Sequence, residues 1–126
     1  MEKFEVKVET KLIVTAEDID DIMCAALEDG ICYWVNEAIV VGDYLGEWAH
    51  EQISRGGKLQ LVDAEDGTIY ELTREKLLYG IQLARAQEYY KDYEWWDGEH
   101  LDTCNVDSAV ADVIVQLALF DEIVFG

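Results

Sequence analysis

The side chains able to do chemistry are few, and their spacing suits none of the familiar sites. Cysteine occurs at 24, 32 and 104 and histidine at 50 and 100. Cys32, Cys104, His50 and His100 offer a zinc ligand set, but only if four separate stretches fold together, without the short paired spacing of structural zinc sites. Asp63, Glu65 and Asp66 share one turn and do not complete the twelve-residue calcium loop. Asp97, Glu99, His100 and Asp102 are close in sequence, yet lack the i, i+4 spacing that converges ligands on one helix face. No Ser or Cys stands in a nucleophile elbow, and His50 and Glu51, neighbours on a helix, face different ways. Arg55-Gly56-Gly57-Lys58 has the composition of an anion nest, and equally that of a glycine turn leading into a strand. The odd cysteine count, with no C-x-x-C pair, argues against a disulfide framework and for buried or half-buried thiols. The expectation is a non-enzyme with no metal and no cofactor.

Carboxylate is what the chain has in abundance. It carries 28 acids against 9 bases, for a net charge of −19. Such a surface repels DNA, RNA and anionic membranes, whose binders must neutralise phosphates with Lys and Arg. It suits a basic partner. The distribution says more than the sum: Leu12 to Ser54 contains no Lys or Arg, and neither does Asp92 to the end. If residues 16 to 29 are helical, a rise of ~1.5 Å per residue makes that helix roughly 20 Å long. Glu17, Asp18, Asp20, Asp21, Glu28 and Asp29 then average about one acid per ~3.5 Å, close to the ~3.4 Å phosphate spacing of one DNA strand. This pattern fits a nucleic-acid mimic, and it also fits a solvated face that only confers solubility. Asp92, Glu94, Asp97 and Glu99 extend the candidate surface. Trp95 and Trp96, with Tyr89, Tyr90 and Tyr93, read either as an interface hot spot or as cover for the end of the preceding helix.

Positioning these groups needs a scaffold, and 51% hydrophobic residues can build one. One domain spanning 1–126 is the economical reading. Residues 3 to 14 alternate Phe4, Val6 and Val8 against Lys3, Glu5, Lys7 and Glu9, which predicts a half-buried strand. Thr15 and Asp18 form a capping-box pattern for a helix over Ala16–Asp29 that buries Ile19, Ile22, Met23, Ala26 and Leu27, with Gly30 as its stop. Residues 31 to 45 fit either period; a strand at 31–36 is favoured. A short helix over 46–54 would carry Trp48 and His50. Residues 58 to 72 predict a hairpin turning at Asp66-Gly67. Thr73 caps a helix from Arg74 to about Tyr90 with Leu77, Leu78 and Ile81 inward, and an irregular acidic, aromatic loop follows to Cys104. Asn105 or Thr103 is the expected cap of a last helix, Asp107–Leu119. That helix has Val110, Val113, Ile114, Leu117 and Ala118 on one stripe and Asp107, Ser108, Asp112 and Gln116 on the other side. Residues 122 to 125 close the chain as a strand. The order predicts α+β: a mainly antiparallel sheet with a central hairpin, backed by three to four helices. With a charged, alternating N-terminus and no apolar run near ~18 residues, a soluble cytoplasmic protein is expected.

Three blocks carry a resemblance: Ala26–Trp34 (ALEDGICYW), Asp63–Leu78 (DAEDGTIYELTREKLL) and Val115–Gly126 (VQLALFDEIVFG). Together they resemble a family of small acidic proteins encoded by phages and integrative elements of Gram-positive gut bacteria, over most of the chain. That family has no established activity, so the likeness implies no residue roles. It implies a mobile-element setting in the host bacterial cell, where short acidic accessory proteins often act against host defences. The functional expectation is a binding protein that occupies the basic nucleic-acid-binding surface of a host factor such as a defence nuclease. The alternative is a dimeric or larger sponge for a nucleotide immune signal, with Tyr33 and Trp34 lining a pocket and Arg55 or Lys58 gripping phosphate.

Overall fold

The computed structural model describes residues 1–7 and 11–126. Its last helix organises the rest. Asp107, in extended backbone, accepts the Val110 N–H at 3.0 Å and opens α3 (Ser108–Phe120). The expected caps, Thr103 and Asn105, instead lie in a 3-10 turn of their own. Every residue from Val110 to Ala118 is buried. The apolar stripe is real, but the helix is covered on all sides rather than along one.

Two glycines let backbone approach α3 more closely than any side chain would. Gly80 sits on α2 (Arg74–Ala86), which Thr73 caps. A Cβ there would run into the Ile114 carbonyl and the Ala118 side chain. On another flank Gly30 lies where a Cβ would be 2.5 Å from the Ser108 carbonyl oxygen. Gly30 ends a π-helical turn, Ala26–Gly30, that follows α1 (Ala16–Ala25). The predicted first helix therefore ends early as a regular α-helix, and its last two acids, Glu28 and Asp29, ride on the wider π turn.

Tight turns carry Ile31–Trp34 where a strand was expected. The Trp34 and Val35 N–H groups both donate to the Ile31 carbonyl, and β1 begins only at Val35 (Val35–Val40). β1 pairs with β2 (Leu59–Asp63), which pairs with β3 (Ile69–Leu72), all antiparallel. The hairpin forms as its sequence predicts, with Gly67 at φ +76° in the turn. Val40, Leu59 and Leu72 share one row and Ala38, Leu61 and Tyr70 the next; these rows face the core, with Leu59, Leu61 and Leu72 fully buried. A separate two-stranded ribbon, β4 (Trp96–Asp97) and β5 (His100–Leu101), forms inside the stretch expected to be an irregular loop. The architecture is α+β, with three α-helices among the described residues.

Both predicted terminal strands differ. Residues 1–7 contain no strand, and Phe4 and Val6 are 84% and 81% exposed. Val8, Glu9 and Thr10 of that expectation lie outside the described residues. Ile13 makes one isolated parallel bridge, to His100. A period-two pattern says that one face prefers burial; it does not supply the neighbour to pair with. At the other end, residues 122–125 form no strand either. The helix predicted over 46–54 shrinks to a 3-10 turn, Ala49–Glu51. α2 stops at Ala86 rather than near Tyr90, because Glu88 and Tyr90 take left-handed backbone that no helix continues through.

Asp112 and Gln116, placed by their spacing on the polar side of α3, are 9% and 0% exposed. Asp112 Oδ1 accepts the Trp34 indole N–H at 2.8 Å and the Gln116 amide at 2.9 Å, and Oδ2 accepts the Tyr33 hydroxyl at 2.6 Å. Gln116 Oε1 in turn accepts the N–H groups of Val124 and Phe125 at 2.9 and 2.8 Å. The tail expected to join a sheet is thus held by the Gln116 amide, with the Tyr33 hydroxyl donating to the Phe125 carbonyl beside it. It lays Phe125 flat on Trp34, with ring centroids 4.7 Å apart and planes 6° from parallel.

Gly80→Ala would gain helix propensity of about 1 kcal/mol, yet it forces α2 off α3. The net expected effect is a loss of ~1–3 kcal/mol, read as a lower urea midpoint with little change in slope. A second expectation concerns alkali. Burial of its hydroxyl end, then the bond to Asp112, pushes the Tyr33 phenol up from 10.0 to about 12. Ionised Tyr33 therefore favours the unfolded chain: its contribution is intact below pH 10 and disappears as pH rises toward 12. Tyr33→Phe should make alkaline unfolding shallower across that window, with Tyr70, raised by its bond to Asp63, retaining part of the slope.

Candidate functional site

The α1 acids divide by what their oxygens already do. Glu17, Asp21 and Glu28 recur at i, i+4 and i+11, on the side away from Ile19, Ile22, Met23 and Ala26, and all three are exposed. Asp18 completes the capping box, accepting the Thr15 N–H at 3.0 Å while Thr15 Oγ1 accepts its own N–H. Asp20 accepts the Ser54 hydroxyl at 2.5 Å, tying α1 to the segment after the 3-10 turn. Asp21 accepts the Thr103 hydroxyl at 2.7 Å. Asp29 is exposed on the π turn.

The Thr103 bond brings the second acidic tract to the first. The Ile13 N–H also donates to the Glu99 carbonyl at 2.6 Å, so the ribbon lies beside the entry to α1. Asp92, Glu94, Asp97 and Glu99 are exposed along this stretch. Among the described residues the salt bridges are Arg55–Glu51, Lys58–Glu71 and Lys91–Glu88, none of which uses a candidate acid of either tract. The acidic surface ends at a groove of about 660 Å³ between α2 and the ribbon, lined in part by Lys11, Arg85 and Gly98.

The two tryptophans have opposite fates. Trp95 is fully buried, its indole N–H donating to the Tyr89 carbonyl at 2.8 Å. It is a core residue, and this corrects its candidacy for partner contact. Trp96 packs edge-on against it at 4.7 Å, with the Arg85 guanidinium 4.6 Å over its ring. The exposed aromatics of this stretch are Tyr90 and Tyr93, 5.0 Å apart. Glu88, Tyr90 and Glu94 all have positive φ, an unusual cluster for non-glycine residues. Anchorage of Trp95 below, and the Asn105 amide on the Glu94 carbonyl, hold the segment in that shape.

A cleft of about 420 Å³ does lie over Tyr33 and Trp34, as a ligand-sponge reading requires, but its other walls are Asp63, Ala64, Glu65, Phe125 and Gly126. No base lines it. Arg55 and Lys58, the expected phosphate grips, pair with Glu51 and Glu71 elsewhere. An anionic nucleotide would meet two carboxylates there and nothing to offset them. Among the described residues no group of three His, Cys, Asp or Glu side chains converges on a metal site. Among the described residues no helix is long and apolar enough to cross a membrane. No protein-family model, curated protein or solved structure matches the chain.

Spacing missed Thr103, which joins the tracts; a lone threonine in a loop carries no signal of that kind. Cys24 reports on the field of this face. It lies between Asp21 and Glu28 on the exposed flank of α1 and donates to Glu28 Oε1 at 3.3 Å. Partial burial, then the Glu28 bond and the charges of Glu28 and Asp21, raise its pKa above the ordinary thiol value. Because the thiolate is the reactive form, Cys24 should alkylate slowly near pH 8. Glu28→Gln should lower its pKa and speed the reaction several-fold, measured by peptide mass spectrometry after iodoacetamide; an unchanged rate would mean that the acids exert no appreciable field there.

Proposed function

We propose that the chain is an acidic binding protein of a mobile element that occupies the basic, nucleic-acid-binding surface of a host factor, such as a defence nuclease in the host cytoplasm. The observation that carries this reading is the junction of two acidic tracts, 17–29 and 92–102, through Asp21–Thr103 and Ile13–Glu99, with no ion pair to either tract among the described residues. A self-contained protein gains nothing from collecting like charges on one surface, since their repulsion opposes folding. A basic groove built for phosphates offsets that repulsion when it docks.

The acids do not keep the even spacing of the phosphates of one strand. Only Glu17 and Asp21 stand one turn apart, at i and i+4, on α1 itself, and the π turn breaks the even rise before Glu28 and Asp29. The mimicry proposed is therefore of charge density over a surface, not of a strand's register. Tyr90 and Tyr93 add exposed aromatic area of the kind that anchors interfaces.

The test is binding to a purified nucleic-acid-binding nuclease across a salt series. Affinity should fall steeply between low and moderate salt, because exposed charges are screened over a Debye length of about 8–10 Å. Glu17, Asp29 and Glu99 accept no side-chain hydrogen bond that holds the fold, so reversing all three to Lys should abolish binding and leave the melting temperature unchanged or higher. Asp18 is unsuitable, since its reversal also removes the carboxylate that accepts the Thr15 N–H in the capping box. Salt-independent binding, or full binding by the triple variant, would remove the electrostatic mechanism.

A further inference from the structure

The N-terminal segment is built as a strand and has no strand to join. Lys3, Phe4, Glu5, Val6 and Lys7 alternate with period two, yet Phe4 and Val6 are almost wholly in water. Single exposed apolar residues are ordinary on a protein surface; a regular pair on an unpaired β-patterned segment marks a missing neighbour.

The three-stranded sheet has two open edges, since its order is β1-β2-β3. They differ in charge. Beside β3 lie Lys58, paired with Glu71, and Lys76, whose Nζ donates to the Glu71 carbonyl. Beside β1 there is no base in sequence from residue 12 to 54, and Glu37, Asp43 and Glu47 are exposed. β1 is also the longer strand, six residues against four, and Ile39 and Val41 are exposed along it. The N-terminal segment carries three of the nine bases in the chain, Lys3, Lys7 and Lys11, against Glu2, Glu5 and Glu9, and within residues 3–7 two lysines flank one acid, Glu5. An exposed edge strand is a template for pairing with another chain, and here the complementary charge is present in the protein itself.

We propose that residues 3–7 of a second copy add to the free edge of β1, reciprocally, forming a two-fold dimer. Phe4 and Val6 then continue the inner rows that begin with Ala38 and Val40, both half-buried at that edge. Lys3 and Lys7 fall on the outer face with Glu37, with Glu5 between them. Backbone hydrogen bonds supply affinity and the alternating side chains fix the register, as in β-augmentation generally. A two-fold arrangement uses each arm and each edge once, so the assembly closes. This inference does not rest on the acidic-face reading, which involves other residues.

Sedimentation velocity on the full chain at tens of micromolar is the test. The expected species has twice the mass of one chain. Phe4→Asp with Val6→Asp should give a monomer that melts at the temperature of the dilute, dissociated protein. Glu37→Lys should weaken the dimer, and combining it with Lys3→Glu and Lys7→Glu should restore it; this arm of the test survives even if the double Asp variant folds poorly. A wild-type monomer at all concentrations overturns the proposal, as does a dimer that persists in the double Asp variant. A monomer whose melting point falls on Phe4→Asp places the arm on its own chain, which overturns it too. Failure of the charge swap to restore the dimer overturns the pairing with β1.

Discussion

A carboxylate buried beside no cation is the constraint on which the rest of the structure depends. Asp112 sits in the middle of α3, and its partners are an indole, a phenol and an amide. Burying an ion costs several kcal/mol, and each hydrogen bond to a charged group returns ~1.5–3 kcal/mol. Three donors offset that cost, two from one turn and one from α3 itself. Tyr33 and Trp34 fix the turn between the π-helical segment and β1. Gln116, oriented by Asp112, takes hold of Val124 and Phe125. The aromatic cluster of Trp34, Tyr70, Phe120 and Phe125 closes over the same point. The turn is held by Asp112 directly and the tail through Gln116, and the hairpin reaches the same point through Tyr70.

This explains why the secondary structure was more legible in the sequence than the tertiary role of its polar residues. Caps and turns are local. Thr15, Thr73 and Gly67 act within three or four residues, so their types and spacing suffice to place them. The apolar stripe of α3 was readable for the same reason. Asp112 and Gln116 belong to the opposite side of the helix by spacing, and period alone assigns that side to water. Whether water or an indole waits there depends on residues about 80 positions away. Trp95 is the same lesson in reverse: an acidic loop suggested exposure, and a single carbonyl acceptor on Tyr89 made burial possible. The predicted terminal strands fail for a related reason, since a strand pattern is a statement about a face and needs a second strand to become one.

The acids show how far charge can be read without a structure. Their positions along the chain gave the two base-free tracts, and the fold places those tracts side by side. Composition could not separate the acids that hold the fold from those with no structural duty. Asp18 caps a helix, Asp20 binds Ser54, Asp21 binds Thr103, and Asp63 accepts the Tyr70 hydroxyl and the Glu65 N–H. Glu17, Asp29, Asp97 and Glu99 have no such side-chain partner, and these four lie within the two tracts.

A net charge of −19 strains a small fold, and the way this strain is met bears on what the surface is for. If the acids served solubility alone, scattering them would serve as well and would repel less. Instead the bases are collected elsewhere: Arg55 and Lys58 hold acids near the sheet, Arg85 lies on Trp96, and three lysines sit on the N-terminal segment. Arg85 and Lys11 lie by the ribbon without pairing its acids, and α1 carries no base of its own; burial first, then Glu28 and Asp21, raise the Cys24 thiol on that helix. A negative field is attractive only to something positive. The N-terminal segment answers it at the edge of β1, where three acids meet the lysines of a second copy, but its few charges cannot cover the face made by 17–29 and 92–102.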